Sequence, residues 1–218
     1  MERNHIASII LIIVIVVASF IFVDFGASKN NTKLEGYPRE FLLGTPQIKS
    51  DLLIYVEDGA ISNELRESLA RDFSDVFLDV EVTDRALTEY DRQVLIVEYS
   101  KTSVSYTPFY SRAHIDLNMT FSSNGDVSWR SKTGISLNTS LNTAWFKVRM
   151  VLDDQSYGVM SLKHYNNYVA QRFADNMKGK IEKILDYLHI KFKNQSITVE
   201  PFTINILLRW EIVRRTRF

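Results

Sequence analysis

Residues 112–121 read RAHIDLNMTF, a strict alternation of two chemistries. Ala113, Ile115, Leu117, Met119 and Phe121 are apolar, whereas Arg112, His114, Asp116, Asn118 and Thr120 are polar. Successive side chains of a strand point to opposite faces, so the pattern predicts a half-buried β-strand with one dry and one wet face. The stretch runs into Ser122-Ser123-Asn124-Gly125, and Asn-Gly suits the positive φ angles of a tight hairpin turn. Val127 and Trp129, then Ile135 and Leu137, continue as the expected return strand.

Upstream, Gln93 to Tyr99 (QVLIVEY) is apolar at its centre, as an interior strand requires. Leu78, Val80 and Val82 alternate with Asp79, Glu81 and Thr83, and Leu52 to Glu57 (LLIYVE) is a short apolar run bounded by Asp58-Gly59. Between these two strands Ile61, Leu65, Leu69, Ala70 and Phe73 recur at helical spacing. They predict an amphipathic helix over 62–74, with Ser62 as N-cap and Glu64 meeting the positive end of the helix dipole.

Downstream, residues 144–152 (AWFKVRMVL) fit a strand by alternation and a helix by the spacing of Trp145, Val148, Val151 and Leu152. Over 161–189 a single stripe through Tyr165, Val169, Phe173, Met177, Ile181 and Leu185 predicts a long helix. That helix tolerates Gly179 at about 1 kcal/mol. Ile204, Ile206, Leu208, Trp210 and Ile212 alternate after Pro201 and predict a C-terminal strand. Strands in the middle with two covering helices predict an α+β domain over 51–218: a two-layer sandwich, mainly antiparallel, with both helices on one face.

The N-terminus has a different character. Ile6 to Val23 (IASIILIIVIVVASFIFV) contains no charged residue. As a helix it is ~27 Å long, close to the hydrocarbon thickness of a bilayer. A secretory signal core is shorter, about 7–15 residues, although Gly26-Ala27-Ser28 offers small residues at a cleavage spacing. A buried helix of a soluble domain rarely lacks every polar face. The run is therefore read as an uncleaved anchor over residues 1–25. Residues 26–50, with Gly26, Gly36, Gly44, Pro38 and Pro46 among polar side chains, read as a linker in which Phe41-Leu42-Leu43 docks on the domain.

Arg3 precedes the apolar run and Lys29 and Lys33 come after it, so the flanking charge is nearly balanced. A short N-tail before a signal-anchor-like helix places the downstream domain outside the cytoplasm. The N-x-S/T sequons at Asn30, Asn118, Asn138 and Asn194 agree but carry little weight in an Asn-rich chain.

Composition sets the remaining bounds. The chain is 45% hydrophobic and 24% charged, ordinary for a globular protein, and its net charge of zero gives no global attraction for nucleic acid. With no cysteine, disulfides, thiolate metal sites, thiol catalysis and a lipidated N-terminal cysteine are all excluded. Charge is unevenly spread: residues 51–92 carry 12 acidic and 4 basic side chains, and residues 93–218 carry 10 and 17. Solvated faces account for this simply; a dipolar docking domain is the sharper alternative.

No hydrolase elbow, phosphate loop, zinc-protease or dinucleotide motif occurs. His114 and Asp116 project from one strand face, but a metal or acid–base site needs further ligands, so a solvated face is the plainer reading. His5 precedes the apolar run, His164 begins the long helix and His189 ends it, where it can meet the last carbonyls. Asp153-Asp154 reads as turn chemistry in a loop near Gly158, without calcium-loop spacing.

Two surfaces stand out. Tyr99, Tyr106, Phe109 and Tyr110, around Pro108, are a candidate partner surface, with sheet-edge packing as the alternative. Arg209, Arg214, Arg215 and Arg217 in the tail are a candidate contact for anionic lipid. No cofactor is expected.

The element order also carries a likeness. An N-terminal anchor is followed by LLIYVE, NELRESLARDF, LDVEV, QVLIVEY, a hairpin around SSNGDVSW and a helix carrying VAQRFADNMKGKIEKIL. Over roughly residues 50–190 this resembles small envelope lipoproteins that assist lipopolysaccharide assembly or lipid ABC transporters. The resemblance implies a non-enzymatic auxiliary role at a membrane, with an envelope protein as partner. Those lipoproteins are held by a lipidated cysteine; here residues 6–23 must hold the membrane. The expected protein is a single-pass, extracytoplasmic accessory or assembly factor. The alternatives are a membrane-tethered hydrolase using His114 and Asp116, and a lipid- or ligand-binding module with an apolar cavity between sheet and helices.

Overall fold

The computed structural model describes residues 2–43, 48–87, 89–127 and 144–187. Its elements in chain order are α1 (Glu2–Phe22), β1 (Gly26–Leu43), β2 (Asp51–Val56), α2 (Ser62–Phe73), β3 (Asp79–Thr83), β4 (Val94–Tyr106), β5 (Tyr110–Ser122), β6 (Ala144–Met160) and α3 (Leu162–Tyr187). The result is an α+β fold with three helices and a six-stranded mixed sheet in the order β1-β6-β5-β4-β2-β3. Within α1, His5–Phe22 is long and apolar enough to cross a membrane, with a mean hydropathy of 2.9.

Two kinds of pairing meet in this sheet. β2 is parallel to both β3 and β4, whereas β4, β5, β6 and β1 are antiparallel in succession. Parallel neighbours need a crossover, and α2 supplies it between β2 and β3. Residues 84–93 then recross β2 to start β4. Tyr90 of that crossing is buried with Leu53, Val94, Ile96 and Val127. The main core uses the alternate residues Leu52, Ile54, Val56, Leu95 and Val97, with Leu65, Leu69 and Phe73 of α2 and Tyr165, Phe173 and Met177 of α3. Period-two geometry therefore puts the small second cluster on the sheet face away from the helices.

The alternation of β5 is used as read: Ala113, Ile115, Leu117, Met119 and Phe121 all join the main core. Its expected hairpin is not formed. Both edges of β5 are taken, one by β4 and the other by β6, in register from Tyr110↔Tyr157 to Ser122↔Trp145. The return strand is therefore 144–160, and residues 128–143 lie outside the described residues. Asn124-Gly125 serves a different contact. Gly125 has φ +81 and its carbonyl accepts from the Tyr90 N–H at 3.0 Å. A Cβ there would lie 2.1 Å from the Tyr90 carbonyl oxygen, so glycine is required for the close approach that clamps the 84–93 crossing.

Three further expectations change. The stretch read as a linker is strand β1 over Gly26–Leu43, antiparallel to β6 along its length. Ser28, Asn30, Thr32 and Leu34 are partly buried while Lys29, Asn31 and Lys33 are exposed, so the alternation exists but is written almost wholly in polar residues. Asp153-Asp154 is mid-strand in β6 and not in a loop, and residues 144–152 are strand. Ile61, not Ser62, is the N-cap of α2; Ser62 is buried inside the first turn. The expected C-terminal strand, His189 and Arg209, Arg214, Arg215 and Arg217 lie outside the described residues.

Candidate functional site

The most heavily built polar region lies where the apolar helix meets the sheet. Only Val23, Asp24 and Phe25 separate α1 from β1. Ser161 is buried and joins three segments at once. Its hydroxyl caps α3 by accepting the His164 N–H at 3.1 Å, and it also accepts the Phe25 N–H at 3.2 Å. Its own N–H donates to the Phe25 carbonyl at 2.8 Å. Asp24 accepts from Asn167 at 2.7 Å and lies 2.8 Å from His164 Nδ1. Desolvation raises the Asp24 pKa, but the hydrogen bonds from His164 and Asn167 outweigh it and hold the carboxyl below its ordinary range.

Tyr106 closes the junction from the other side. Its hydroxyl donates to the Met160 carbonyl at 2.8 Å and sits 3.2 Å from the Phe20 carbonyl of α1. Burial pushes its pKa up, which keeps it a donor. Phe20 and Phe25 meet edge to face at 5.1 Å. The end of the helix is thus fastened by Tyr106 of β4, and the segment after it by Ser161 and by His164 and Asn167 of α3.

Three of the four aromatic candidates converge at this end. Tyr106, Phe109 and Tyr110 flank the β4–β5 turn, which is pinned to β6 by Gly158 N–H to the Phe109 carbonyl and Met160 N–H to the Pro108 carbonyl, both 3.0 Å. Gly158 has φ +132, and a Cβ there would meet the Ala27 carbonyl oxygen at 2.3 Å. Tyr110 packs on Tyr157 with ring centroids 5.0 Å apart. Tyr99 does not join them. It lies mid-strand against Gly59, and its N–H donates to Glu57 Oε2 at 2.7 Å.

A second polar network lies inside, between β6, β1 and α3. Asp154 is 1% exposed. Its carboxylate accepts from Thr32 at 2.6 Å and from Ser156 and Tyr165, each at 2.8 Å. Thr32 in turn hydrogen-bonds Tyr168, whose hydroxyl accepts from Arg172 Nε at 3.3 Å. Arg172 also lies over the Tyr168 ring, 5.3 Å from its centroid. Burial first, and then the negative Asp154, push the Tyr165 hydroxyl well above the usual phenol range, so it donates at any ordinary pH. This network ties the polar strand β1 to the core through hydroxyls.

His114 and Asp116 share a strand face as expected but are not brought together as a pair. His114 Nδ1 lies 2.7 Å from Asp153. Asp116 receives a bidentate Arg149, with contacts at 3.0, 3.0 and 2.5 Å, and this raises the Arg149 pKa. Both span β5 and β6 on the face without helices, His114 directly opposite Asp153 and Asp116 diagonal to Arg149. Among the described residues no group of three or more His, Asp or Glu side chains is placed to hold a metal.

Sequence reasoning passed over Ser161, Thr32, Tyr168 and Arg172. Ser161 directly before a helical stripe carried a readable capping signal. Thr32 carried none, because its partner Asp154 is 122 positions away.

No family model matches the chain, and no curated protein matches it. Among solved structures, a single-residue variant of the PelC dodecamer from Paraburkholderia phytofirmans is similar at 9% identity and a TM-score of 0.29, over 66% of this chain and 93% of that one. The PelC dodecamer from the same organism aligns at 13% identity and a TM-score of 0.27, over 54% of this chain and 81% of that one. Similarity at this level leaves the chain without a family assignment.

Proposed function

We propose that this chain is a single-pass membrane protein whose two-layer α+β sandwich lies outside the cytoplasm and serves, without catalysis of its own, as an accessory or assembly factor of a cell-envelope complex. The observation that carries the reading is the junction at Ser161, Asp24 and Tyr106. A domain on a loose tether has no fixed orientation. One bonded to the end of its anchor presents the same faces to neighbours in the membrane at all times, which suits a protein that docks.

The helix-free face adds support. Its residues are paired across strands as Asp116–Arg149 and His114–Asp153, which favours recognition of a partner over a free acid–base pair. The element-order likeness to envelope lipoproteins points the same way.

Affinity purification of the full chain from cells in mild detergent tests the role. A stoichiometric envelope partner, lost on Arg149→Ala, is the expected result; a partnerless monomer under mild solubilisation refutes it. Protease treatment of intact cells tests the orientation, and complete protection of the domain overturns it.

A further inference from the structure

We infer that the β4–β5 turn is a second membrane-contact point, which seats Phe109, with Tyr110, Tyr157 and Val159 around it, in the lipid interface beside α1. The inference rests on the anchored reading above and extends it to a specific loop.

Register fixes the position of the turn. Gly26, the first residue after the junction, pairs with Met160, and Ala27 pairs with Val159. The Pro108 and Phe109 carbonyls bond to Met160 and Gly158. The turn therefore lies at the end of the sheet where the chain leaves α1. The large apolar residues between Ile6 and Val17 are each at least half exposed, so α1 stands clear of the domain until its last turn. There the Tyr106 hydroxyl reaches the Phe20 carbonyl, inside the apolar span His5–Phe22. A helix crossing the bilayer along this span brings Tyr106, and the adjoining tip, to the depth of its own last turn.

The exposed chemistry matches that depth. Phe109 is 67% exposed, Tyr157 52%, Val159 46% and Tyr110 37%, and at the end of α1 Phe22 is 73% and Val23 51% exposed. An exposed phenylalanine at the tip of a rigid turn is costly in water and favourable at an acyl boundary. Tyrosines beside it fit the headgroup layer, where an apolar ring and a polar hydroxyl are both satisfied. Lys29, Arg112 and Lys163 are exposed nearby and suit anionic headgroups. The opposite end of the sheet is marked by Leu78, itself 63% exposed, just before β3.

The chain has no native cysteine, so single cysteines can be labelled without background. Full-length chain carrying Val14→Cys, Phe109→Cys or Leu78→Cys, each with an environment-sensitive fluorophore, is reconstituted into phosphatidylcholine–phosphatidylglycerol vesicles with and without bromine-labelled acyl chains. The expected result is at least twofold quenching by bromolipid at positions 14 and 109 and none at 78. Quenching at 14 without quenching at 109 overturns the second contact while leaving the anchor intact. Absence of quenching at 14 overturns the anchored reading, and this inference with it. A label at 109 shielded from aqueous iodide but untouched by bromolipid means a protein covers the tip, and also overturns the inference.

Discussion

β2 and β1 are neighbours in sequence and opposites in construction. β2 is six residues long and buries Leu52, Ile54 and Val56 between α2 and its strand neighbours. β1 is eighteen residues long, runs along one side of the sheet and inserts Ser28, Asn30 and Thr32 where β2 inserts aliphatics. One strand is held by removal of apolar surface from water. The other is held by its backbone ladder to β6 and by hydroxyls converging on Asp154. Stability should therefore respond to different changes in the two regions.

The sharpest contrast is aliphatic truncation. Ile54→Ala is expected to cost about 3–4 kcal/mol in urea unfolding of the full chain in micelles, whereas Leu34→Ala, at a half-buried site, is expected to cost about 1 kcal/mol. Equal costs would show that β1 is as much a core strand as β2. Next, Asp154→Ala leaves the Tyr165, Ser156 and Thr32 hydroxyls without their acceptor, and about 2–3 kcal/mol should be lost. Hydrogen exchange should localise that loss to β1 and the start of α3; uniform loss over the sheet would argue against a local tether.

A smaller effect, about 1–2 kcal/mol, is expected for Gly125→Ala, which forces a side chain onto the Tyr90 carbonyl at positive φ. Its signature is faster amide exchange at Tyr90 with β1 unchanged, and exchange that accelerates in β1 instead would contradict the clamp. The smallest effect concerns pH. The Asp24 carboxyl is held below its ordinary value of 3.8, so its contribution is present above that value and is lost as pH falls through the lower folded value. Asp24 is nearly half exposed, so only a few tenths of a kcal/mol are expected. The stability gap between the natural chain and Asp24→Asn should close as pH falls below 3.8; a gap undiminished well below that value overturns the expectation.

The same contrast explains what was legible in the chain. β2, α2, β3, β5 and α3 lie within about two residues of where hydrophobic spacing puts them, because each buries a periodic apolar set. β4 starts as read and then runs on to Tyr106 through the polar Ser100, Lys101, Thr102 and Ser103, which carry no such signal. β1 was invisible for the same reason. Of the four aromatic candidates grouped around Pro108, Tyr106, Phe109 and Tyr110 flank the β4–β5 turn. Tyr99 was separated from them by strand length alone: seven residues of extended chain span about 23 Å.

The sequence by itself determined the apolar helix, the α+β composition and the in-and-out alternation of the strands, since these depend only on which side chains avoid water and at what period. Tertiary structure decided the rest. It chose β6 over residues 127–137 as the partner of β5, turned an apparent linker into β1, buried Asp154 while exposing its neighbour Asp153, and tied the end of the apolar helix to Tyr106 and the segment after it to Ser161. Each of those outcomes is a pairing between segments distant in the chain. Backbone hydrogen bonds and buried hydroxyl contacts are nearly independent of side-chain hydrophobicity, so no local pattern announces them.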